Sequence, residues 1–301
     1  MKKLQELLEK SCSLKDKKKV AVVAAQEVSV LEAVSLANKK EICDAILIGD
    51  KCKIEQIAKE HSINISNMEI VDAKDFEDAA KKGVNFVLEG KADFLMKGLL
   101  DTSILLKAVL NKEAGLRTES LLSHVMVYEV PNYHKLLFLS DGGMNIAPSL
   151  EQKKWILKNT IDAAKILGSD KLKVAVLAAK EKVSDKMKAT KDAKELAEMS
   201  KTGEFGANAV VEGPLALDLA ISKKAASIKG FEGEVVGDAD ILIVPNIEMG
   251  NGIGKTLTYF AGAKSAGVIM GAKVPVVLVS RADDEDTKLY SLAFGAMVAQ
   301  K

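Results

Sequence analysis

Short apolar, β-branched runs alternate with longer amphipathic stretches along this 301-residue chain, and that rhythm limits its fold more than any other feature. Strand-like runs fall at 19–24, 45–49, 68–71, 94–96, 121–128, 136–140, 172–178, 209–211, 241–245 and 274–279. Helical patterns lie between most of them, at 28–40, 51–60, 76–89, 103–111, 150–167, 191–201 and 215–222, with one final helix expected over 282–300. Few of the strand runs alternate apolar with polar residues, as expected of strands covered on both faces. The spacing predicts an α/β fold of mostly parallel sheets flanked by helices.

The length is ample for two cores. The polar break Ser140-Asp141-Gly142-Gly143-Met144-Asn145 puts a domain boundary near 140, and a second crossing is expected near 280. This gives a first α/β domain of 1–139 plus 280–301 and a second of 140–279. There are 43 basic and 42 acidic residues, a net charge of +1, which is no footprint for nucleic acid. No apolar run approaches the ~20 residues of a membrane span, and the start lacks the apolar core of a signal peptide. Cys12, Cys43 and Cys52 are odd in number and lack C-x2-C spacing, while His61, His124 and His134 lack ligand spacing. The expectation is a cytoplasmic protein with no disulfide and no protein-held metal.

Among the basic residues only Arg117 and Arg281 are arginine. A guanidinium offers a rigid donor fork that fits phosphate or carboxylate in two-point contact, which an ammonium cannot do. Arg281 follows Ser280 and precedes Asp283, Asp284, Glu285 and Asp286, so fork, hydroxyl and candidate base lie close together. The same residues also suit a helix N-terminus, with Ser280 or Asp283 as cap and the acids favoured by the helix dipole. Gly250-Asn251-Gly252-Ile253-Gly254-Lys255-Thr256 follows a strand run and is expected to open a helix. It fails G-x-x-x-x-G-K-[ST], because the first glycine position is Met249. Its glycines still suit either an anion-binding turn or a plain helix start. Lys97, after the run 94–96, is either a phosphate contact or a solvated side chain. His124, inside an apolar run, reads as a hydrogen-bonded core residue or as a site residue.

Taken in order, Met96-Lys97-Gly98 with Thr102, Ser123-His124-Val125, Asp141-Gly142-Gly143-Met144-Asn145, Glu212-Gly213-Pro214-Leu215-Ala216-Leu217-Asp218, Pro245-Asn246-Ile247-Glu248-Met249-Gly250-Asn251 and Ser280-Arg281-Ala282-Asp283 resemble the phosphate acetyl/butyryl transferase family. Residues 1–90 fit by rhythm only, and the Asp-Gly-Gly-Met-Asn and Ile-Glu-Met-Gly-Asn segments look most like the butyryl-transferring members. The resemblance implies a two-domain fold like isocitrate and isopropylmalate dehydrogenases, an active site in the interdomain cleft, and a final helix returning to the first domain. It implies a reversible reaction of acyl-CoA with inorganic phosphate to give acyl phosphate and CoA. It implies no tightly bound cofactor, with coenzyme A as substrate or product. It further implies Ser280, Arg281 and a following acid as the catalytic set, with Asp286 chosen and Asp283 open. The chain has one residue fewer between the Ser-Arg and Glu-Asp pairs than the acetyl-specific members. Lys97, His124, Asp141, Asn145, Gly250, Asn251 and Asp283 are the expected substrate-binding residues. A homo-oligomer (dimer or higher) and an acyl (butyrate) kinase as pathway partner are implied with them.

Two other readings compete. A metal- and NAD-dependent decarboxylating dehydrogenase of the same fold requires metal-binding carboxylates and a nicotinamide site, yet no G-x-G-x-x-G follows a strand run. A lysine-rich RNA-binding protein requires salt-sensitive binding, against which the net charge argues.

Overall fold

The structure is a computed structural model that describes residues 1–279 and 284–299. Ser280, Arg281 and Asp283 therefore lie outside the described residues. Backbone proximity divides the chain into two compact units: Leu4–Ser120 with Ser265–Lys301, and Met1–Lys3 with Leu121–Lys264. The chain crosses between them near 120 and 265, where the polar breaks in the sequence had suggested 140 and 280.

The unit that begins at Leu4 opens with α1 (Leu4–Cys12), β1 (Lys18–Val23), α2 (Val28–Lys39), β2 (Cys43–Gly49) and α3 (Lys51–Glu60). It continues with β3 (Glu69–Asp72), α4 (Phe76–Leu88), β4 (Phe94–Lys97) and α5 (Thr102–Val109). In β1, Val20, Ala21, Val22 and Val23 are all buried, which is why the run carries no polar alternation. Local signals set the helix starts: Asp50 accepts from Lys53 N at 3.1 Å and Asp75 from Asp78 N at 2.7 Å.

The second unit contains β5 (Ser123–Glu129), β6 (Leu137–Ser140), α6 (Leu150–Ala164), β7 (Leu172–Leu177), α7 (Lys188–Lys201) and β8 (Ala209–Leu215). Then come α8 (Leu217–Ile221), α9 (Lys223–Lys229), β9 (Ile241–Ile243) and α10 (Ile247–Tyr259). Its strands run β5-β6-β9-β7-β8, with β5 and β6 antiparallel and the other pairs parallel. Because β6 pairs with β9, the β5–β6 hairpin belongs to this unit, which moves the crossing upstream of 140. A capping box, Ser149 with Gln152, starts α6.

The chain then returns to the first unit with β10 (Lys264–Met270), β11 (Val276–Val277) and α11 (Glu285–Val298). The strand order there is β3-β2-β1-β4-β11-β10, parallel except for β10 against β11. The order reverses between β1 and β4, so this sheet has its topological switch point there. The α11 helix packs on α2 and α1.

Three local expectations need correction. No strand had been expected at β10. The run 274–279 pairs as a strand only at Val276 and Val277. The glycine run at 250–256 is not a turn: α10 already starts at Ile247, with Asn246 Oδ1 accepting from Met249 N at 3.1 Å. Gly250 N donates to Asn246 O at 3.2 Å, so this N–H serves the helix and does not face an anion.

Candidate active site

Lys97 is the last residue of β4, beside the switch point. It is 9% exposed, and its Nζ donates to Gly98 O at 3.0 Å. The turn beyond it is pinned to β1: Gly98 N donates to Val23 O and Leu99 N to Ala24 O, each at 2.8 Å. A Cβ at Gly98 would fall on the Ala24 carbonyl oxygen, so only glycine fits. Ala24 itself has φ of 58°, a left-handed conformation that costs a residue with a Cβ about 1–2 kcal/mol. The polypeptide is held tightly at the carboxyl edge of the sheet, where open α/β folds bind ligands.

Asp286 lies in the first turn of α11 and is exposed. The N-cap is Asp284, which accepts from Thr287 N at 2.7 Å, where Ser280 or Asp283 had been expected. Glu285 and Asp286 thus sit where the helix dipole favours carboxylates.

In the other unit, Asp141 follows β6 through a cis Ser140–Asp141 peptide and is 2% exposed. Its Oδ1 accepts from Gly143 N at 2.8 Å and Met144 N at 2.9 Å. Its Oδ2 accepts from His124 N at 3.1 Å and Asn145 Nδ2 at 2.6 Å. Asn145 Nδ2 also reaches Leu122 O at 2.9 Å. Ser140 Oγ donates to His124 O at 2.9 Å, so the His124 backbone is held from both sides. Asn251, on α10, donates through Nδ2 to Gly142 O at 3.4 Å. Four of the expected residues, His124, Asp141, Asn145 and Asn251, therefore meet around one turn, and Gly250 packs on it. A Cβ on Gly250 would lie 2.8 Å from Asp141 O, and one on Gly254 would lie 2.5 Å from Tyr128 Oη. Gly250 lets α10 lie close to this turn, and Gly254 lets it lie close to β5.

Two further motif residues are tied into the same unit. The Glu212 carboxylate accepts from Glu234 N at 2.8 Å and Val235 N at 3.2 Å, and Asp218 pairs with Lys229 at 2.9 Å. Ala24 was not legible in the sequence, because a left-handed alanine has no residue signature. Cys43 is buried, and burial, assisted by Asp44, pushes its thiol up to about 12, which leaves it inert as a nucleophile. A polar cavity of about 680 Å³, lined by Lys17, Lys19, Asn38, Asp44 and Glu69 among others, lies at the amino ends of β1–β3, the edge opposite Lys97. Among the described residues no cluster of His, Cys, Asp or Glu is arranged to hold a metal ion, and no helix is long and apolar enough to cross a membrane.

Mostly parallel sheets with helices between their strands and tightly pinned turns at the strand ends place the chain in the open α/β class. The phosphate acetyl/butaryl transferase family matches residues 3–85 and 73–296, and the chain belongs to that family. It is 47% identical over 285 residues to phosphate butyryltransferase of Clostridium acetobutylicum, covering 95% of this chain and 94% of that one. It is 42% identical over 282 residues to phosphate acetyltransferase of Thermotoga maritima, covering 94% and 95%. A branched-chain phosphotransacylase from Enterococcus faecalis V583 shares the fold at a TM-score of 0.83, with 35% identity over 94% of this chain and 99% of that one.

Proposed function

We propose that the protein transfers a short acyl group, butyryl foremost, reversibly between coenzyme A and inorganic phosphate. Near-full-length similarity to a butyryltransferase carries this reading. The lower identity to an acetyltransferase keeps acetyl transfer as the second reading. One methylene is worth about 1–3 kcal/mol in specificity, so neighbouring chain lengths react as well.

Both substrates bind together. The CoA sulfur attacks the acyl phosphate carbonyl carbon, the C–S bond forms, and the C–O bond to phosphate breaks. A thiol has a pKa of roughly 8.5, so a base is needed near neutrality. Asp286 takes that proton, with Asp283 as the other candidate. Arg281 grips the phosphate in two-point contact and Ser280 donates to the oxyanion. Lys97, His124, Asn145 and Asn251 orient the substrates, with Gly250 giving α10 its close approach to the Asp141 turn, and orientation supplies much of the rate. No covalent acyl-enzyme is involved. We also read the protein as a cytoplasmic homo-oligomer whose acyl phosphate is consumed by an acyl (butyrate) kinase.

The test is thioester cleavage of butyryl-CoA with and without phosphate or arsenate. Cleavage is expected only with the oxyanion present and without added metal or nucleotide. An equal rate without it means a hydrolase.

A further inference from the structure

A buried carboxylate is costly unless its lone pairs are used, and an ionised one offers about four acceptor sites. Asp141 uses them on four N–H donors of its own unit: Gly143, Met144, His124 and Asn145. None is left over for a substrate. The bonds to Gly143 and Met144 fold the turn back toward the start of β5. There Gly143 lies against the His124 imidazole. A Cβ added to Gly143 would sit 2.5 Å from Nδ1, 3.1 Å from Cγ and 3.3 Å from the His124 Cβ. The ring is therefore walled on one side by backbone that a buried carboxylate holds in place. His124 also hangs from a main chain fixed at N by Asp141 and at O by Ser140.

We propose that Asp141 is a positioning residue: its carboxylate clamps Gly143 against the imidazole of His124 and so sets the orientation of that ring. The catalytic consequence rests on the acyl-transfer reading above; the clamp itself does not. The chain of action is Asp141 to Gly143 to His124, and it replaces direct contact between Asp141 and substrate.

The experiment uses two variants and two readouts. Asp141→Asn puts an amide NH2 where two N–H donors already point. Gly143→Ala leaves the carboxylate alone and pushes a methyl into the ring. The first readout is the imidazole resonance of His124 in the full-length protein, with His61 and His134 as internal references. In both variants the His124 signal is expected to move while the other two stay. The second readout is kcat/KM with butyryl-CoA and phosphate. A tenfold or greater loss is expected for Gly143→Ala, and none beyond it when the same change is made on a His124→Ala background. A merely structural glycine would lose activity equally on both backgrounds, which overturns the proposal. So does a His124 signal unmoved in Gly143→Ala, the variant that stands if Asp141→Asn fails to fold. If the wild type lacks acyl transfer altogether, the resonances still decide whether the clamp exists.

Discussion

Gly250 on α10 and Gly142 in the turn after β6 approach so closely that a Cβ on Gly250 would stand 2.7 Å from the Gly142 Cα. The two nearest neighbours, Gly142 Cα and Asp141 O, are main chain, so neither can swing aside as a flexible side chain would. Gly250→Ala is expected to destabilise the fold by about 1–3 kcal/mol, as overpacking does. Gly252, two residues on in the same helix, has nothing within 4 Å of its would-be Cβ. Gly252→Ala is expected to stabilise by up to about 1 kcal/mol through helix propensity. Denaturant melts of the two variants check the pair; equal effects of one sign would refute this account of the glycines.

Arg281→Lys keeps the charge and removes the fork. A loss of ~10²-fold or more in kcat/KM is expected, mostly through the KM for phosphate. Near-normal kinetics would make Arg281 a surface ion-pair residue.

Asp286→Asn is expected to slow thiol attack by ~10²–10⁴-fold, with a smaller loss at high pH, where CoA is already thiolate. A defect that persists at all pH values would remove Asp286 as base. The pH-rescued defect in Asp283→Asn instead would assign the role to that residue.

Lys153 Nζ on α6 donates to Asp192 Oδ2 on α7 at 2.7 Å, both nearly buried, and Lys188 bonds the same oxygen. Burial works to raise the Asp192 carboxyl, but the bonds from Lys153 and Lys188 outweigh it and hold the group low. Burial lowers the Lys153 ammonium despite its partner. The lysine is therefore the strained member of the pair. Asp192→Ala leaves that cation buried without its carboxylate and is expected to cost about 3–5 kcal/mol. Lys153→Met is expected to cost less, since Asp192 keeps Lys188. Because the folded pKa of Asp192 lies below its unfolded value of about 3.9, its contribution is complete above that pH. It fades as pH falls through the folded value. Urea melts of wild type and Asp192→Ala should converge in stability on acidification, and parallel curves would contradict the assignment.

The parallel α/β architecture could be read from runs such as Val20–Val23, because strands covered on both faces have no polar period to disguise them. The glycines of α10 were harder to read. Glycine serves a turn or a close helix approach equally, and only the position of Gly142 decides between them. β10 begins Lys264-Ser265-Ala266-Gly267, too small and polar to resemble a strand until Gly267 N meets Ser291 Oγ at 3.0 Å. Asp141 stood out as a polar residue in a glycine-bearing break. Its work went unseen because three of its four partners are backbone N–H groups, which every non-proline residue carries.

The return of the chain to its first unit has a consequence for how the protein is made. On the ribosome, β1 to β4 emerge early, but β11, the parallel neighbour of β4, and α11, which covers α2, follow only after Leu121–Lys264 has been synthesised. Throughout that interval the nascent sheet carries β4 as an open edge with unpaired N–H and C=O groups. The strand pairs inside the later unit, β5-β6-β9-β7-β8, all join segments made between Ser123 and Ile243 and need nothing synthesised afterwards. The order of synthesis is therefore not the order in which the two units can be completed, and the unit begun first is finished last.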